Sequence, residues 1–525
     1  MGKDKKPFDE EAVLLLNKGK RGLFRLIFGR TTVVVLLLAV QISLLLVSFY
    51  HLGDYIFYGG SMAVGLFVAL IIVNRPGNPA SKITWIILIM LAPVFAVPLY
   101  LFIDAELGHR LVRARLEEIG VQTSHLLPPR QEDQDALEAE HPGTAGITRY
   151  LERNVGMPVC RGSGVDYFPL GEEAFAAMLE ELENARHFIF MEYFIIDEGY
   201  MWGRILKVLE RKAAEGVEVR VLYDGTCALY KLPYQYPKQL EKLGIRCRMY
   251  APLRPLVSTH YNNRDHRKIL VVDGRCAFTG GINLADEYIN RIDLHGHWKD
   301  VAVRITGEAV RSFTFMFLQM WNVEEHGLED FTRYLNASEA IEAPGWVVPY
   351  GDSPFDGENV GEMVYMDILN RAGKYVHIMT PYLIIDHEMV TALTFAAKRG
   401  VDVKIITPGR PDKKTIFALT RTYYKELILG GVKIYEYTPG FVHAKTFVSD
   451  DTTAVTGSIN LDYRSLYLHF ECAALMVGTP AVADIEADFQ ATLEKCHRVT
   501  YEDCRKDRFS RRLLGWLLRP LAPLA

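Results

Sequence analysis

Two stretches of this chain repeat one pattern of charged and polar residues at the same spacing. The first reads HRKILVVDGRCAFTGGIN from His266, and the second reads HAKTFVSDDTTAVTGSIN from His443, 177 positions later. Charges around an apolar run are costly inside a protein unless they are paired, and their repetition in register argues against solvated charges on two unrelated strands. The matching positions are His266 and His443, Lys268 and Lys445, Asp273 and Asp450, Gly280 and Gly457, and Asn283 and Asn460.

The residue types of this motif suit chemistry on a phosphate group. Histidine can act as a nucleophile or as an acid and base near neutral pH. The lysine two positions later lies on the same face of a strand and offers a positive charge to a phosphate. The amides of Asn283 and Asn460 can donate hydrogen bonds to phosphoryl oxygens. Two facing copies therefore predict a two-step displacement, in which one histidine attacks phosphorus and the other protonates the leaving oxygen, without a metal or other cofactor.

This pair of motifs resembles the signature of the phospholipase D superfamily, and the chain from about Ile147 looks like its cardiolipin synthase branch. The resemblance implies that one phosphatidylglycerol transfers its phosphatidyl group to an enzyme histidine and releases glycerol, and that a second phosphatidylglycerol then attacks to give cardiolipin. By analogy with the family, His266 is expected to be the nucleophile and His443 the acid. Asp273 and Asp450 complete the catalytic motifs, where we expect them to tie the motif strand to neighbouring backbone.

Two further carboxylates are candidates for orienting the histidines. Asp300, in Trp298-Lys-Asp300, resembles an element that follows the first motif in this family, and Glu471 follows the second motif. A carboxylate that accepts a hydrogen bond from one ring nitrogen fixes the tautomer of a histidine. Either acid could instead lie on the surface, and the sequence does not indicate which acid would serve which histidine.

The chain also departs from the family pattern at two positions. Gly281 stands where the family often has Ser, and His469 stands where it often has Asn. Both departures concern fine contacts and leave the expected reaction type unchanged. We interpret His469, together with His295 and His297, as an ordinary polar residue.

From Ile147 onward the sequence predicts an α/β fold. A helical pattern over Glu172–Asn184 begins an order of helix, strand, helix and strand, which returns from Gly361–Ala372 onward. This order predicts two tandem α/β sandwich halves with pseudo-two-fold symmetry, at 147–340 and 341–504, and one shared cleft; the resemblance implies that both halves are phospholipase D-like. Tyr193 and Tyr382 begin the matching segments YFIID and YLIID; each suits core packing or a substrate-lining position equally.

Three apolar stretches in 31–103 predict N-terminal transmembrane helices. They are Thr31–Leu52, Tyr55–Val73 and Ile83–Ile103, each about 20 residues, which is enough to cross ~30 Å of hydrocarbon. None carries a charge, which disfavours buried core helices. The basic segment 1–30 places the N-terminus in the cytoplasm of a multi-pass cell-membrane protein, and the catalytic unit is favoured on the same side. Basic residues follow both the second and the third stretch, so the number of spans stays open.

The remaining segments are polar or amphipathic. Segment 104–146 is expected to hold a charged helix, Glu106–Gly120, and a polar linker, Pro128–Gly146. Segment 505–525 is a basic, Trp-bearing amphipathic helix that either lies on an anionic membrane or docks on the catalytic unit. The tyrosine-rich segment Thr226–Asn263 either lines a lipid pocket or packs internally.

Composition narrows the classes of partner. The net charge of −5 gives no overall basic field for nucleic acid, and the seven cysteines have no metal-ligand spacing. The expected partners are phosphatidylglycerol and other anionic lipids at a membrane. Two alternatives stay open. The first is a membrane-bound phospholipase D or another headgroup-exchanging enzyme with the same motifs. The second is a membrane-tethered nuclease, which the absence of a dense basic run beside either motif disfavours, or a non-catalytic membrane scaffold, which would have no reason to retain both full motifs.

Overall fold

The structure, a computed structural model, describes residues 55–104, 107–252, 262–325 and 327–524. The described residues divide into two compact units. The larger unit comprises 113–252 and 262–515 and holds both motifs, and the smaller unit comprises 55–112 and 516–524. The basic N-terminal segment and the first apolar stretch, Thr31–Leu52, lie outside the described residues.

The smaller unit contains three apolar helices that pack around Ile72, Trp85 and Ile89. The apolar stretch expected over Ile83–Ile103 is divided between two helices at Ala92, because Pro93 cannot continue the hydrogen-bond pattern of the preceding helix. In the part of the chain that the structure describes, none of the helices has both the length and the apolar composition required for crossing a membrane. The helices are α1 (Tyr55–Asn74), α2 (Pro79–Leu91) and α3 (Pro93–Asp104).

The segment between the apolar helices and the first half is more helical than its polar composition predicts. The charged helix is present, whereas the expected linker at 128–146 contains one complete helix and the start of another. Leu137 is fully buried, and the Thr148 hydroxyl donates to the amide oxygen of Gln134 at 3.0 Å. These tertiary contacts hold a segment whose sequence resembles a linker. The helices are α4 (Leu107–Thr123), α5 (Gln131–Glu140) and α6 (Ala145–Tyr150).

The first half is built on a mixed sheet. Its strands and one short additional strand are β1 (Ser163–Phe168), β2 (Phe188–Tyr193), β3 (Glu218–Asp224), β4 (Arg246–Tyr250), β5 (Lys268–Val272), β6 (Cys276–Gly280), β7 (His297–Lys299) and β8 (Ala302–Gly307). Among the described residues the sheet has seven strands in the order β1-β8-β6-β5-β2-β3-β4. Its helices are α7 (Gly171–Glu183), α8 (Tyr200–Ala214), α9 (Cys227–Tyr230), α10 (Tyr236–Glu241), α11 (Val310–Trp321) and α12 (Thr332–Leu335).

The second half is built on a corresponding sheet. Its strands and three short additional strands are β9 (Trp346–Asp352), β10 (Tyr375–Met379), β11 (Leu383–Ile384), β12 (Asp402–Pro408), β13 (Lys433–Tyr437), β14 (Gly440–Val442), β15 (Thr446–Ser449), β16 (Thr453–Gly457), β17 (Leu461–Asp462), β18 (Glu471–Val477) and β19 (Cys496–Val499). Within the described chain this sheet has eight strands in the order β19-β13-β12-β10-β15-β16-β18-β9. The helices are α13 (Val360–Arg371), α14 (His387–Lys398), α15 (Lys414–Leu429), α16 (Tyr463–Tyr467), α17 (Ala481–Leu493), α18 (Tyr501–Lys506) and α19 (Phe509–Leu518).

The two sheets place their motif strands equivalently. Strand β5 lies between β6 and β2, and β15 lies between β16 and β10, with antiparallel pairing in each case. All five residues of β5 and all four of β15 are buried, as expected for central strands covered on both faces. The prediction of two corresponding α/β halves is therefore confirmed.

Short backbone pairings join the two halves beside the motifs. Strand β7 of the first half pairs in parallel with β14 of the second half, and Asp265 forms a bridge with Phe470. The His443 amide donates to the Lys299 carbonyl at 2.7 Å, and the His266 amide donates to the Phe470 carbonyl at 2.9 Å. Each motif histidine is thus fixed by backbone from the opposite half.

The C-terminal helix α19 contacts helix α15 of the larger unit at Gly515. A Cβ at Gly515 would lie 2.5 Å from the carbonyl oxygen of Ala418 in α15, so the two helices are in close contact there. This is one of the two arrangements that the sequence allowed for this segment. Other side chains of α19 are exposed, including Phe509 and Trp516.

Candidate active site

Each motif histidine is hydrogen-bonded to a carboxylate from the opposite half. His266 Nδ1 lies 2.8 and 2.9 Å from the two carboxylate oxygens of Glu471. His443 Nδ1 lies 2.7 Å from Asp300 Oδ2. Both carboxylates are fully buried, so neither is a surface acid. With Nδ1 engaged in each ring, Nε2 is the nitrogen left to react with a substrate.

The two motif lysines lie beside their histidines. Lys268 Nζ donates to the His266 carbonyl at 2.5 Å. Lys445 Nζ donates to the His443 carbonyl and lies 2.8 Å from His443 Nδ1. Burial lowers the pKa of Lys268 to about 8 and that of Lys445 to about 7, although Glu471 and Asp300 act in the opposite direction. An anionic ligand between the motifs would favour the charged forms of both lysines.

Burial also sets the protonation of the histidines. It lowers the pKa of His266 well below its ordinary value, and the charges of Lys268 and Lys445 lower it further. It lowers the pKa of His443 to about 4, where Lys445 adds to the effect and Asp300 opposes it. Both rings are therefore neutral near pH 7 in the free protein. Since Lys445 and His443 act on His266 from the other half, the two motifs share one electrostatic site.

The two asparagines occupy comparable positions with different partners. Asn283 accepts from the Ile195 amide at 3.1 Å and donates to the Tyr288 hydroxyl at 2.8 Å. One of its two amide protons is therefore committed, and the second is available for a phosphoryl oxygen. Asn460 is buried, and its Oδ1 has no hydrogen-bond partner among the described residues.

The motif aspartates lie at the opposite end of the motif strands from the histidines. Asp273 accepts three backbone hydrogen bonds, from Arg186, His187 and Phe188, at 2.7 to 2.8 Å. Asp450 accepts the equivalent three, from Gly373, Lys374 and Tyr375, at 2.6 to 2.9 Å. Each aspartate thus holds the turn that enters β2 or β10. The structure does not bring either of them to the histidines, so we place them outside the reacting groups.

The two motif histidines have different aromatic neighbours. Tyr288, Trp298 and Phe441 surround His443 at ring distances of 5.4, 5.4 and 5.9 Å. The sequence left open whether Tyr193 and Tyr382 pack in the core or line the substrate site. Tyr193 is buried in the hydrophobic core of the first half. The hydroxyl of Tyr382 donates to Asp412 at 2.8 Å.

Phe194 and His469 flank His266 at ring distances of 4.9 and 5.4 Å. The sequence interpretation missed His469, whose pKa burial lowers to about 3. Its position two residues before Glu471, as Trp298 precedes Asp300, was the available signal. In the described part of the chain, His266, His469 and Glu471 form a group whose ligand atoms lie within 4.8 Å of one another, close enough to hold a metal ion.

Gly281 leaves room for the side chain of Asp300. A Cβ at this position would lie 2.0 Å from Asp300 Oδ1 and 2.8 Å from the His443 carbonyl oxygen. Position 458, its counterpart in the second motif, holds a serine whose hydroxyl donates to Glu471. A serine at 281, where the family often has one, would therefore overlap Asp300 in this arrangement.

We expect Gly281→Ala to displace Asp300 from His443 and to lower kcat by roughly 10²-fold, the typical cost of an ångström-scale misplacement. Gly146→Ala is the matched control, because a Cβ there meets nothing within 4 Å. Steady-state kinetics and thermal unfolding of both variants check this. Equal kcat in the two variants would contradict the expectation.

Comparisons with known proteins identify the family of this chain. A family model described as "Cardiolipin synthase, PLD-like domain" matches residues 178–321 and 365–493. An uncharacterized protein of Streptococcus mutans serotype c is 51% identical over 459 residues, which are 87% of this chain and 99% of that protein. A cardiolipin synthase of Halalkalibacterium halodurans is 31% identical over 466 residues, which are 87% of this chain and 92% of that protein.

A solved structure supports the fold independently. The crystal structure of phosphatidylserine synthase from Haemophilus influenzae Rd KW20 has a TM-score of 0.56 and 15% sequence identity, and the match covers 73% of this chain and 97% of that one. At this identity the likeness concerns the fold alone. The family match, the relatives and the paired motifs agree, and the chain belongs to the cardiolipin synthase family of the phospholipase D superfamily and is a phosphatidyltransferase.

Proposed function

We propose that this enzyme transfers a phosphatidyl group from one phosphatidylglycerol to another through a phosphohistidine on His266, giving cardiolipin and glycerol. The observation that carries the proposal is the crosswise orientation of the two histidines, with Glu471 on His266 and Asp300 on His443. The choice of phosphatidylglycerol rests on the relatives named cardiolipin synthase.

In the first step, Nε2 of His266 attacks phosphorus and the bond to the glycerol headgroup breaks. His443 gives its Nε2 proton to the departing oxygen, and Asp300 stabilises the charged ring while it holds that proton. His443 is neutral in the free protein, and the negative charge of the bound phosphodiester favours its protonation. Lys268 and Lys445 stabilise the charge on the phosphoryl oxygens.

In the second step, the hydroxyl of the acceptor phosphatidylglycerol loses its proton to His443. Its oxygen attacks phosphorus, the phosphorus–nitrogen bond breaks, and His266 returns to its neutral form. Glu471 stabilises the positive charge on the His266 ring while the intermediate exists. The same groups would serve an enzyme that uses water or another alcohol as acceptor.

Product analysis tests the proposal. Purified protein supplied with phosphatidylglycerol alone is expected to release cardiolipin and glycerol in equal amounts. Phosphatidic acid with glycerol would instead identify a phospholipase D, and a new phospholipid formed only with an added alcohol would identify a headgroup exchanger. Either of these results would overturn cardiolipin as the product.

We expect the activity to be independent of an added metal. Lys268, Lys445 and the two motif asparagines supply the positive charge and donors that a divalent cation supplies in metal-dependent phosphoryl transfer. Activity on a short-chain, soluble phosphatidylglycerol should persist in EDTA. Complete loss in EDTA, restored by one metal at one ion per protein, would contradict this.

We propose further that the enzyme meets its lipids at a membrane. In the smaller unit, apolar side chains of α1 and α2 are exposed, including Phe67 at 65% and Leu91 at 78%, and such exposed apolar surface is typical of contact with lipid or protein. We expect the protein to float with phosphatidylglycerol vesicles in a density gradient. Recovery in the protein-only fractions would refute this proposal.

A further inference from the structure

His469 and Trp298 occupy equivalent positions in the two halves of the site. Each stands two residues before the carboxylate that orients the histidine of the opposite half. The ring of His469 lies 5.4 Å from that of His266 at 42°, and the ring of Trp298 lies 5.4 Å from that of His443 at 42°. The symmetry of the fold therefore places an imidazole beside one catalytic ring and an indole beside the other.

The imidazole of His469 is unsatisfied in the described part of the chain. The residue is 9% exposed, and neither ring nitrogen has a hydrogen-bond partner there. An unpaired polar group in a buried position costs free energy. Its Nδ1 lies 3.7 Å from Glu471 Oε1, the oxygen that also lies 2.8 Å from His266 Nδ1.

The other carboxylate oxygen of Glu471, Oε2, is held in place by Ser458. The Ser458 hydroxyl donates to Oε2, which leaves Oε1 directed between the two histidines. Hydrogen bonds of this kind orient the ligands of metal sites.

We propose that His266, His469 and Glu471 form a site for Zn²⁺ that inhibits the enzyme when it is occupied. Two imidazole nitrogens and one carboxylate oxygen are a ligand set that zinc takes with a fourth position open. Zinc bonds of about 2.0–2.2 Å to such ligands require only small movements from the separations found here. Mg²⁺ and Ca²⁺ prefer oxygen ligands and fit this set poorly.

Inhibition follows from the tautomer of His266, and this step rests on its proposed role as nucleophile. In the active form the ring proton is on Nδ1 and the Nε2 lone pair faces the substrate. A zinc ion takes the Nδ1 lone pair, so the ring proton moves to Nε2 through solvent and the ring stays neutral. Nε2 then has no lone pair with which to attack phosphorus.

The nearby cations limit the expected affinity. Lys268, Lys445 and Arg464 all act on His266 through their charges, and they oppose a dication at its side. We therefore expect binding in the micromolar range, and not the tighter binding of closed structural zinc sites.

The test combines binding with inhibition. EDTA-treated, full-length protein in detergent is titrated with zinc sulfate against a colorimetric competitor. The wild type is expected to bind one ion with micromolar affinity, and His469→Asn and His469→Gln are each expected to weaken binding at least about tenfold. His497→Gln is the control for adventitious surface binding, since this exposed histidine lies 3.6 Å from Asp503 and is part of β19, the edge strand that three strands separate from the motif strand β15. It should bind zinc as the wild type does.

Zinc should also raise the melting temperature of the wild type and of His497→Gln, because a ligand that binds the native state stabilises it. Neither His469 variant should show this increase, and their own melting curves without zinc report whether they fold. Unchanged zinc affinity in two folded His469 variants, or no micromolar binding to the wild type, would overturn the site and leave the proposed function untouched.

Activity measurements distinguish zinc binding from inhibition by zinc. With the short-chain soluble substrate, zinc is expected to lower the rate of the wild type, and the ratio of rates with and without zinc should approach one in His469→Asn. Zinc binding that requires His469 but leaves the rate unchanged would overturn inhibition and count against His266 as the nucleophile.

Discussion

His443→Ala is expected to accumulate a phosphatidyl group on His266 when the substrate carries an activated leaving group. A nitrophenolate departs without a proton, so the first step needs His266 and Glu471 but not His443. The second step has lost the base that accepts the proton of the acceptor hydroxyl, so the intermediate persists. One equivalent of nitrophenol should appear in a burst, and turnover of natural phosphatidylglycerol should fall by on the order of 10³-fold or more.

Rapid-quench kinetics and mass spectrometry of the labelled peptide check this expectation. His266→Ala is the matched variant and should show neither burst nor label. If label instead accumulates on residue 443 in His266→Ala, the two histidines exchange roles. A burst absent from both variants would remove the covalent intermediate from the proposal.

Neutralising the two orienting carboxylates is expected to give large and distinguishable losses. Glu471→Gln removes the negative charge beside His266, the proposed nucleophile, and Asp300→Asn removes it beside His443, the proposed acid. Isosteric replacement of such a carboxylate costs on the order of 10³–10⁴ in kcat where the acid holds a catalytic histidine. Both variants should therefore be severely impaired with natural phosphatidylglycerol.

The substrate with the activated leaving group distinguishes the role of Glu471 from that of Asp300. Its burst should be slow in Glu471→Gln, because that acid supports attack, and nearly normal in Asp300→Asn, because no proton is needed by the leaving group. Thermal unfolding of both variants reports whether the buried site still folds. A slow burst in Asp300→Asn with a normal burst in Glu471→Gln would show that the crosswise contacts are present but that the roles of His266 and His443 are reversed.

The sequence was most informative where its signals are local or repeated. The order of helix, strand, helix and strand expected from Gly361–Ala372 onward is present as α13, β10, α14 and β12, because a short apolar run between two helices specifies a central strand. The paired motifs specified the family, because reaction at phosphorus requires the same few side chains in each half. The polar segment 128–146 was wrongly predicted to be a linker, because its helices are held by tertiary contacts, such as the burial of Leu137, that its composition does not report.

The motifs, the two α/β halves and the phosphate chemistry were thus determined by the sequence itself. Only the tertiary structure decided which carboxylate serves which histidine: Glu471 is 205 residues from His266, and Asp300 is 143 residues from His443. It also placed the ring of His469 beside that of His266. These contacts arise where β7 pairs with β14 and Asp265 with Phe470. Pairing between halves depends on how two folded sheets dock, and it leaves no periodicity in either stretch of chain.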